Sequence, residues 1–150
     1  MNISFDMDDT LVSSDPRFLH ESYTVLPKLL GAERLRQGTV SLFRQLEKRG
    51  HRVIIYTTSH RSEFSLRKTF MAYGLRPNRF INGEENRKVL QSFDCHASKN
   101  PGLFNIDLHI DDLPGVGVEA ERYTFDAVII AVDDTAWVEK ILYTVDTYGM

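Results

Sequence analysis

A chain of 150 residues with 42% hydrophobic and 26% charged content has the make-up of one soluble globular domain, residues 1–150, large enough to bury a core without staples. A formal net charge of −3 without a long run of like charge argues against a dedicated nucleic-acid binder, leaving only a local basic groove open, and the lone Cys95 excludes an internal disulfide. No apolar stretch approaches the roughly 20 residues that span a bilayer, and the first expected strand starts too early to leave room for a signal peptide, so a cytoplasmic protein is expected.

Ile3 to Phe5 reads as the end of a buried strand, and Asp6, Asp8 and Asp9 follow it directly. Ser13-Ser14-Asp15-Pro16 reads as a turn into a helix, with Asp15 as cap and Pro16 at the first helical position. Leu19, Tyr23, Leu26 and Leu30 follow at helix-compatible spacings, with Pro27 interrupting the run. A second helix is predicted over Thr39 to Arg49, with Val40, Phe43 and Leu46 on one face and Gly50 at its end. Arg52 to Tyr56 is an apolar, β-branched run expected to be a buried parallel strand, closing in Thr57-Thr58-Ser59.

His60 to Tyr73 is predicted to be a helix with Phe64, Leu66, Phe70 and Met71 as its apolar face. Arg79 to Ile81 reads as a short third strand, and Glu84 to Phe93 as a helix carrying Val89, Leu90 and Phe93. A polar loop, Ala97 to Gly102, leads to a fourth strand, Ile106 to Ile110, which runs straight into Asp111-Asp112. Pro114-Gly115-Val116-Gly117 is expected to be a tight loop passing the acids, with a short helix before the next strand. The fifth strand spans Ala127 to Val132. Thr135 to Thr147 forms the closing helix, capped by Asp133 or Asp134, with Trp137, Ile141 and Leu142 facing inward.

This alternation predicts an α/β fold: a Rossmann-like, doubly wound, five-stranded parallel sheet with helices on both faces. Ligands of such sheets bind beyond the carboxyl ends of the strands. Asp6, Thr57 and Asp111 should therefore meet at one edge. Three carboxylates within four residues repel one another and lose solvation unless a positive charge neutralises them, although a solvated acidic turn is the simpler alternative. A hard cation with oxygen ligands, Mg²⁺, suits such a set. The alternation of Ser4 with Asp6, and of Asp107 and His109 with Ile106, Leu108 and Ile110, predicts a polar seam leading to the same edge. His109 itself reads as a hydrogen-bonded structural histidine, and His60 and Arg61 as residues near enough to contact a substrate.

Asp6-Met7-Asp8-Asp9-Thr10, between an apolar strand and Leu11-Val12, resembles the D-x-D-x-T signature of the haloacid-dehalogenase-like (HAD) superfamily. The resemblance implies that Asp6 is a nucleophile forming an aspartyl-phosphate and that Asp8 is the general acid and base. Thr57, with Thr58 as the alternative, matches the family's second motif, a strand ending in a hydroxyl residue that binds a phosphate oxygen. The phosphate-binding lysine of the third motif is Lys99 or Lys88, and the loop position favours Lys99. Asp111-Asp112 resembles the fourth motif, which implies metal binding with Asp6 and the backbone carbonyl of Asp8, through either acid of the pair.

The gaps Ser13 to His51 and Ile81 to Lys99 are too short for a folded cap, so a minimal, capless member is expected. An open site could admit a large phosphorylated substrate or be covered by a partner subunit. The resemblance implies a Mg²⁺-dependent phosphatase. A phosphotransferase using the same intermediate and a non-catalytic, metal-binding scaffold or regulatory module are the alternatives. A receiver domain is disfavoured because its acceptor follows the third strand.

Overall fold

The computed structural model describes residues 1–15 and 17–150. Its strands are β1 (Asn2–Phe5), β2 (Arg52–Tyr56), β3 (Arg79–Ile81), β4 (Leu108–Asp111) and β5 (Ala127–Ile129). They form one sheet in the order β3-β2-β1-β4-β5, and every neighbouring pair is parallel. The chain winds outward from the central β1 through β2 and β3, then returns to β1 and adds β4 and β5 on its other side. The order thus reverses between β1 and β4, which opens a crevice at their carboxyl ends. Asp6 and Asp111 stand there.

The helices are α1 (Val25–Leu29), α2 (Thr39–Lys48), α3 (Glu63–Ala72), α4 (Gly83–Ser92), α5 (Pro114–Tyr123) and α6 (Trp137–Thr147), with a 3-10 turn at Pro101–Phe104. Strand residues divide by parity. Ile3, Phe5, Val53, Ile55, Phe80, Leu108 and Ile110 join the main core with the inner faces of α2, α3 and α6. On the other face Ile54, Tyr56 and Ile81 pack with Phe104 and Ile106, beside Val89 of α4. Fully buried strands of this kind need apolar residues on both faces, which is why Val53-Ile54-Ile55 can serve in β2. No helix of the described residues is long and apolar enough to cross a membrane.

The segment before α2 departs from expectation. The proposed start at Asp15-Pro16 falls partly on Pro16, which lies outside the described residues. Leu19 to Thr24 is not helical. Instead His20 pairs with Arg36 in an antiparallel bridge, and the Glu21 carboxylate accepts the N–H groups of Gly38 and Val40 at 3.1 and 2.9 Å. Glu21 therefore caps α2 from a distance, satisfying donors that Gly38, with no side chain, cannot. The remaining helix, α1, is one short turn in which Pro27 occupies the third position, where a missing N–H costs nothing.

Three further differences concern helix faces and ends. Phe64 and Met71 of α3 are exposed, so Leu66, Thr69 and Phe70 form its buried side. Phe93 lies just past α4 and is exposed too. Pro114 to Gly117 is the first turn of α5 rather than a loop, since proline at the first helical position is preorganised for a helix. Arg36, 2% exposed, ties the site loops together. Its guanidinium donates to the carbonyls of Thr10, Ala131, Val132 and Asp134 at 2.8–3.4 Å and lies between the rings of Phe18 and Trp137.

Candidate active site

The turn after β1 is built on one carbonyl. Met7 O accepts the N–H groups of Thr10, Leu11 and Val12 at 2.9–3.3 Å, and Asp9 adopts a left-handed φ of 61° to close the loop. Asp6 N–H donates to Ile110 O at 2.9 Å, continuing the ladder between β1 and β4. That bond brings Asp6 beside Asp111.

Lys99 joins the two acids. Its Nζ lies 2.7 Å from Asp6 Oδ1 and 2.6 Å from Asp111 Oδ2, with all three side chains buried. The lysine's backbone is held from both sides. Tyr56 Oη donates to Asn86 Oδ1 and accepts Asn100 N–H at 3.1 Å, while Asn86 Nδ2 donates to Ser98 O at 2.8 Å. Lys88, the alternative, is exposed on α4 and paired with Glu84. Asp111 is further engaged: His109 Nε2 lies 3.0 Å from its Oδ2, and Leu113 N–H donates to its Oδ1 at 3.0 Å. Asp112 accepts the Thr10 hydroxyl at 3.1 Å.

These contacts set the ionisation of the acids. Burial pushes the Asp6 carboxyl up to about 6, against the opposing Lys99 charge. Burial acts in the same direction on Asp111, but hydrogen bonding to His109 and the Lys99 charge outweigh it and hold Asp111 well below the usual carboxylate range. Burial also drives His109 down to about 4, with the Lys99 charge adding to the fall and the hydrogen bond to Asp111 opposing it. Lys99 is held protonated, because its two carboxylate partners more than offset its own desolvation.

Asp6, Asp111 and Asp112 can each bring one oxygen within 4.8 Å of the others. Among the described residues Lys99 is the only lysine or arginine paired with them, so three carboxylates face one cation. A donor set of hard, anionic oxygens with excess negative charge fits a hard divalent cation.

Asp8 lies apart from this group. Its carboxylate is 59% exposed and accepts both Nη1 and Nη2 of Arg61, at 2.9 and 2.8 Å. The same guanidinium grips Glu33 through Nε and Nη2 at 2.8 and 2.7 Å, and Nη1 reaches Ser59 Oγ at 2.9 Å. Sequence reasoning placed Arg61 near the site but not on Asp8, and it did not single out Glu33. A cavity of about 550 Å³ opens beside this cluster, lined by Asp8, Ser13, His20, Glu33, Arg34 and Arg61. His60 is exposed.

Thr57 directly follows β2, the strand next to β1, and is buried; its hydroxyl donates to Ser59 Oγ at 3.0 Å and accepts Ser59 N–H at 3.1 Å. Thr58 is exposed. The polar seam expected from parity is present: Ser4 Oγ and His109 Nδ1 are 2.7 Å apart, and both residues are fully buried. Asp107, its expected outer member, instead accepts the N–H of Asn2 at 2.6 Å near the strand starts.

No protein-family profile and no curated protein matches the chain. Among solved structures it is similar to a predicted HAD-like family hydrolase from Porphyromonas gingivalis, with a TM-score of 0.52 and 14% identity over 96% of this chain and 97% of that one. The likeness shows the fold: the chain is HAD-like in architecture, with a carboxylate cluster at the strand ends.

Proposed function

We propose that the chain is a Mg²⁺-dependent phosphatase, a single HAD-like domain without a cap that hydrolyses a phosphate monoester through an aspartyl-phosphate on Asp6. The observation that carries this reading is the buried Lys99 bridge between Asp6 and Asp111, beside Asp112. Buried carboxylates concentrated at a crevice are costly in a purely structural role. They are useful where a phosphoryl group and a cation must be held together.

In the first step an Asp6 oxygen attacks phosphorus, the bond to the alcohol oxygen breaks, and Asp8 protonates that oxygen. In the second, Asp8 takes a proton from water as the water oxygen attacks phosphorus, which releases phosphate and restores Asp6. The Arg61 guanidinium donates to both Asp8 oxygens, at 2.9 and 2.8 Å, and fixes where that side chain stands. Lys99 and the Thr57 hydroxyl, with Thr58 at the open end of the same loop, bind the phosphoryl oxygens. Asp6, Asp111 and Asp112, with the Asp8 backbone carbonyl, would hold Mg²⁺, which when bound offsets negative charge on the phosphoryl group and the nucleophile.

The leaving alcohol occupies the cavity beside Asp8, which stays open to a bulky phosphorylated substrate because no cap covers it. Hydrolysis of an aryl phosphate with Mg²⁺, with EDTA and in Asp6→Asn tests the reading. Metal-dependent release that disappears in the variant is expected. Equal activity in Asp6→Asn overturns the mechanism.

A further inference from the structure

Two buried polar side chains stand behind the acids and have no part in the chemistry just described. Ser4 and His109 are direct partners across β1 and β4, on the face of the sheet that also carries Tyr56. Both are 0% exposed. Tyr56 packs against the imidazole with ring centroids 5.4 Å apart, which fixes the ring plane. An apolar residue would fill this layer without the cost of burying polar atoms, so the imidazole has a directional use.

Both ring nitrogens are engaged. His109 Nε2 stands 3.0 Å from Asp111 Oδ2, the oxygen that also meets Lys99, and a carboxylate oxygen accepts, so this nitrogen is the donor. The Ser4 hydroxyl, which can donate or accept, stands 2.7 Å from Nδ1. Leu113 N–H holds the other carboxylate oxygen, so Asp111 is fixed at both ends. Its Oδ2 is thereby aimed at Lys99, which in turn reaches Asp6.

We propose that His109 is a positioning residue: in the Nε2–H tautomer set by Ser4, it orients Asp111 so that Lys99 is held on Asp6 and the acids converge for the metal. What this orientation serves rests on the phosphatase reading above. The ligand-orienting role is the one that outer-shell partners play at metal sites, where their loss costs about tenfold to a hundredfold in affinity or activity.

The test compares His109→Phe, which keeps a ring but no donor, with His109→Gln, which keeps a donor near the Nε2 position, and with Ser4→Ala. Mg²⁺ affinity is measured by calorimetry with the metal alone, and the His109 tautomer by ¹⁵N NMR of the imidazole. The wild type should show Nε2–H, and Ser4→Ala should mix the tautomers. His109→Phe should weaken Mg²⁺ binding and lower kcat by about tenfold or more, and His109→Gln should recover most of both. An Nδ1–H imidazole in the wild type overturns the proposal, as does His109→Phe with wild-type Mg²⁺ affinity. If His109→Phe does not fold, the tautomer and the Gln variant decide. A wild type that binds Mg²⁺ but hydrolyses no phosphate ester sinks the phosphatase reading alone, and the calorimetric and NMR arms still judge His109.

Discussion

The backbone of Gly83 lies so close to Thr58 that a β-carbon on it would stand 2.2 Å from the Thr58 carbonyl oxygen and 2.9 Å from that of Ser59. Gly83 N–H donates to Ser59 O at 2.8 Å, so α4 starts in contact with the loop proposed to hold phosphate. The obstructing atoms are backbone and cannot rotate away. Gly83→Ala must therefore displace Thr57 to Ser59. We expect a loss of about 1–3 kcal/mol in stability, the usual range for forced overpacking. The KM for an aryl phosphate should rise several-fold while Mg²⁺ affinity is kept. An unchanged KM would detach this loop from phosphate binding.

Lys99→Met removes the bridge between two buried carboxylates while nearly keeping side-chain volume. Breaking a buried ion pair from one side typically costs about 3–5 kcal/mol, because the partner charges remain. Turnover should be lost, and the midpoint of denaturant unfolding should fall. Added Mg²⁺ should recover part of the stability but not the activity, since a cation can replace the charge without replacing the donor proposed to hold the phosphoryl oxygens. Lys88→Met, at an exposed helix pair, should change neither measurement. The opposite result would exchange the roles of the two lysines.

How far the site could be read in advance depended on distance along the chain. Asp6, Thr57 and Asp111 each end a strand with a local apolar signature, and alternation alone brings such ends together. Ser4 and His109 were visible as polar residues on one parity of two strands. The Arg61 fork on Asp8 joins charges 53 positions apart in a loop with no periodicity, so no local pattern could reveal it. The expected helix around Leu19 to Leu30 survives only as α1, Val25–Leu29, for a similar reason. Its spacing is helical, yet the backbone is drawn into pairing with Arg36 and Glu21 is drawn to the start of α2. Pro114-Gly115 misled in the other direction, because the same residues open turns and helices.

Magnesium and pH should act together through Asp6. Its folded-state value, about 6, lies above the ordinary 3.8, so protonated Asp6 favours the metal-free fold below 3.8 and that gain is lost as pH rises through 6. Above that point the fold carries an ionised, buried carboxylate that a cation would relieve. Below it, a proton must leave before metal can bind. The Mg²⁺-induced rise in Tm should accordingly be larger above the Asp6 value than below it, and the pH dependence should be weaker in Asp6→Asn. A Mg²⁺ effect of equal size at both pH values would remove Asp6 from the metal site.

Arg61 makes the last prediction, because it holds Asp8, the proposed proton-transferring acid, apart from the acids proposed to hold the metal. The guanidinium binds Asp8 and Glu33 with two hydrogen bonds each, a geometry that a lysine ammonium cannot copy. The pairs are partly exposed, so Arg61→Lys should cost only about 1 kcal/mol or less in stability. Mg²⁺ affinity should hold as well, since the Asp8 carboxylate stands outside the group formed by Asp6, Asp111 and Asp112. Turnover should fall by about tenfold or more, because a carboxylate that swings freely spends less time in line with the attacking water. The fall should be seen in kcat with a burst of released alcohol, since loss of the base slows breakdown of the aspartyl-phosphate more than its formation. An increase in kcat would reverse the assignment: the Arg61 pair would then be a restraint on Asp8 that the reaction must release.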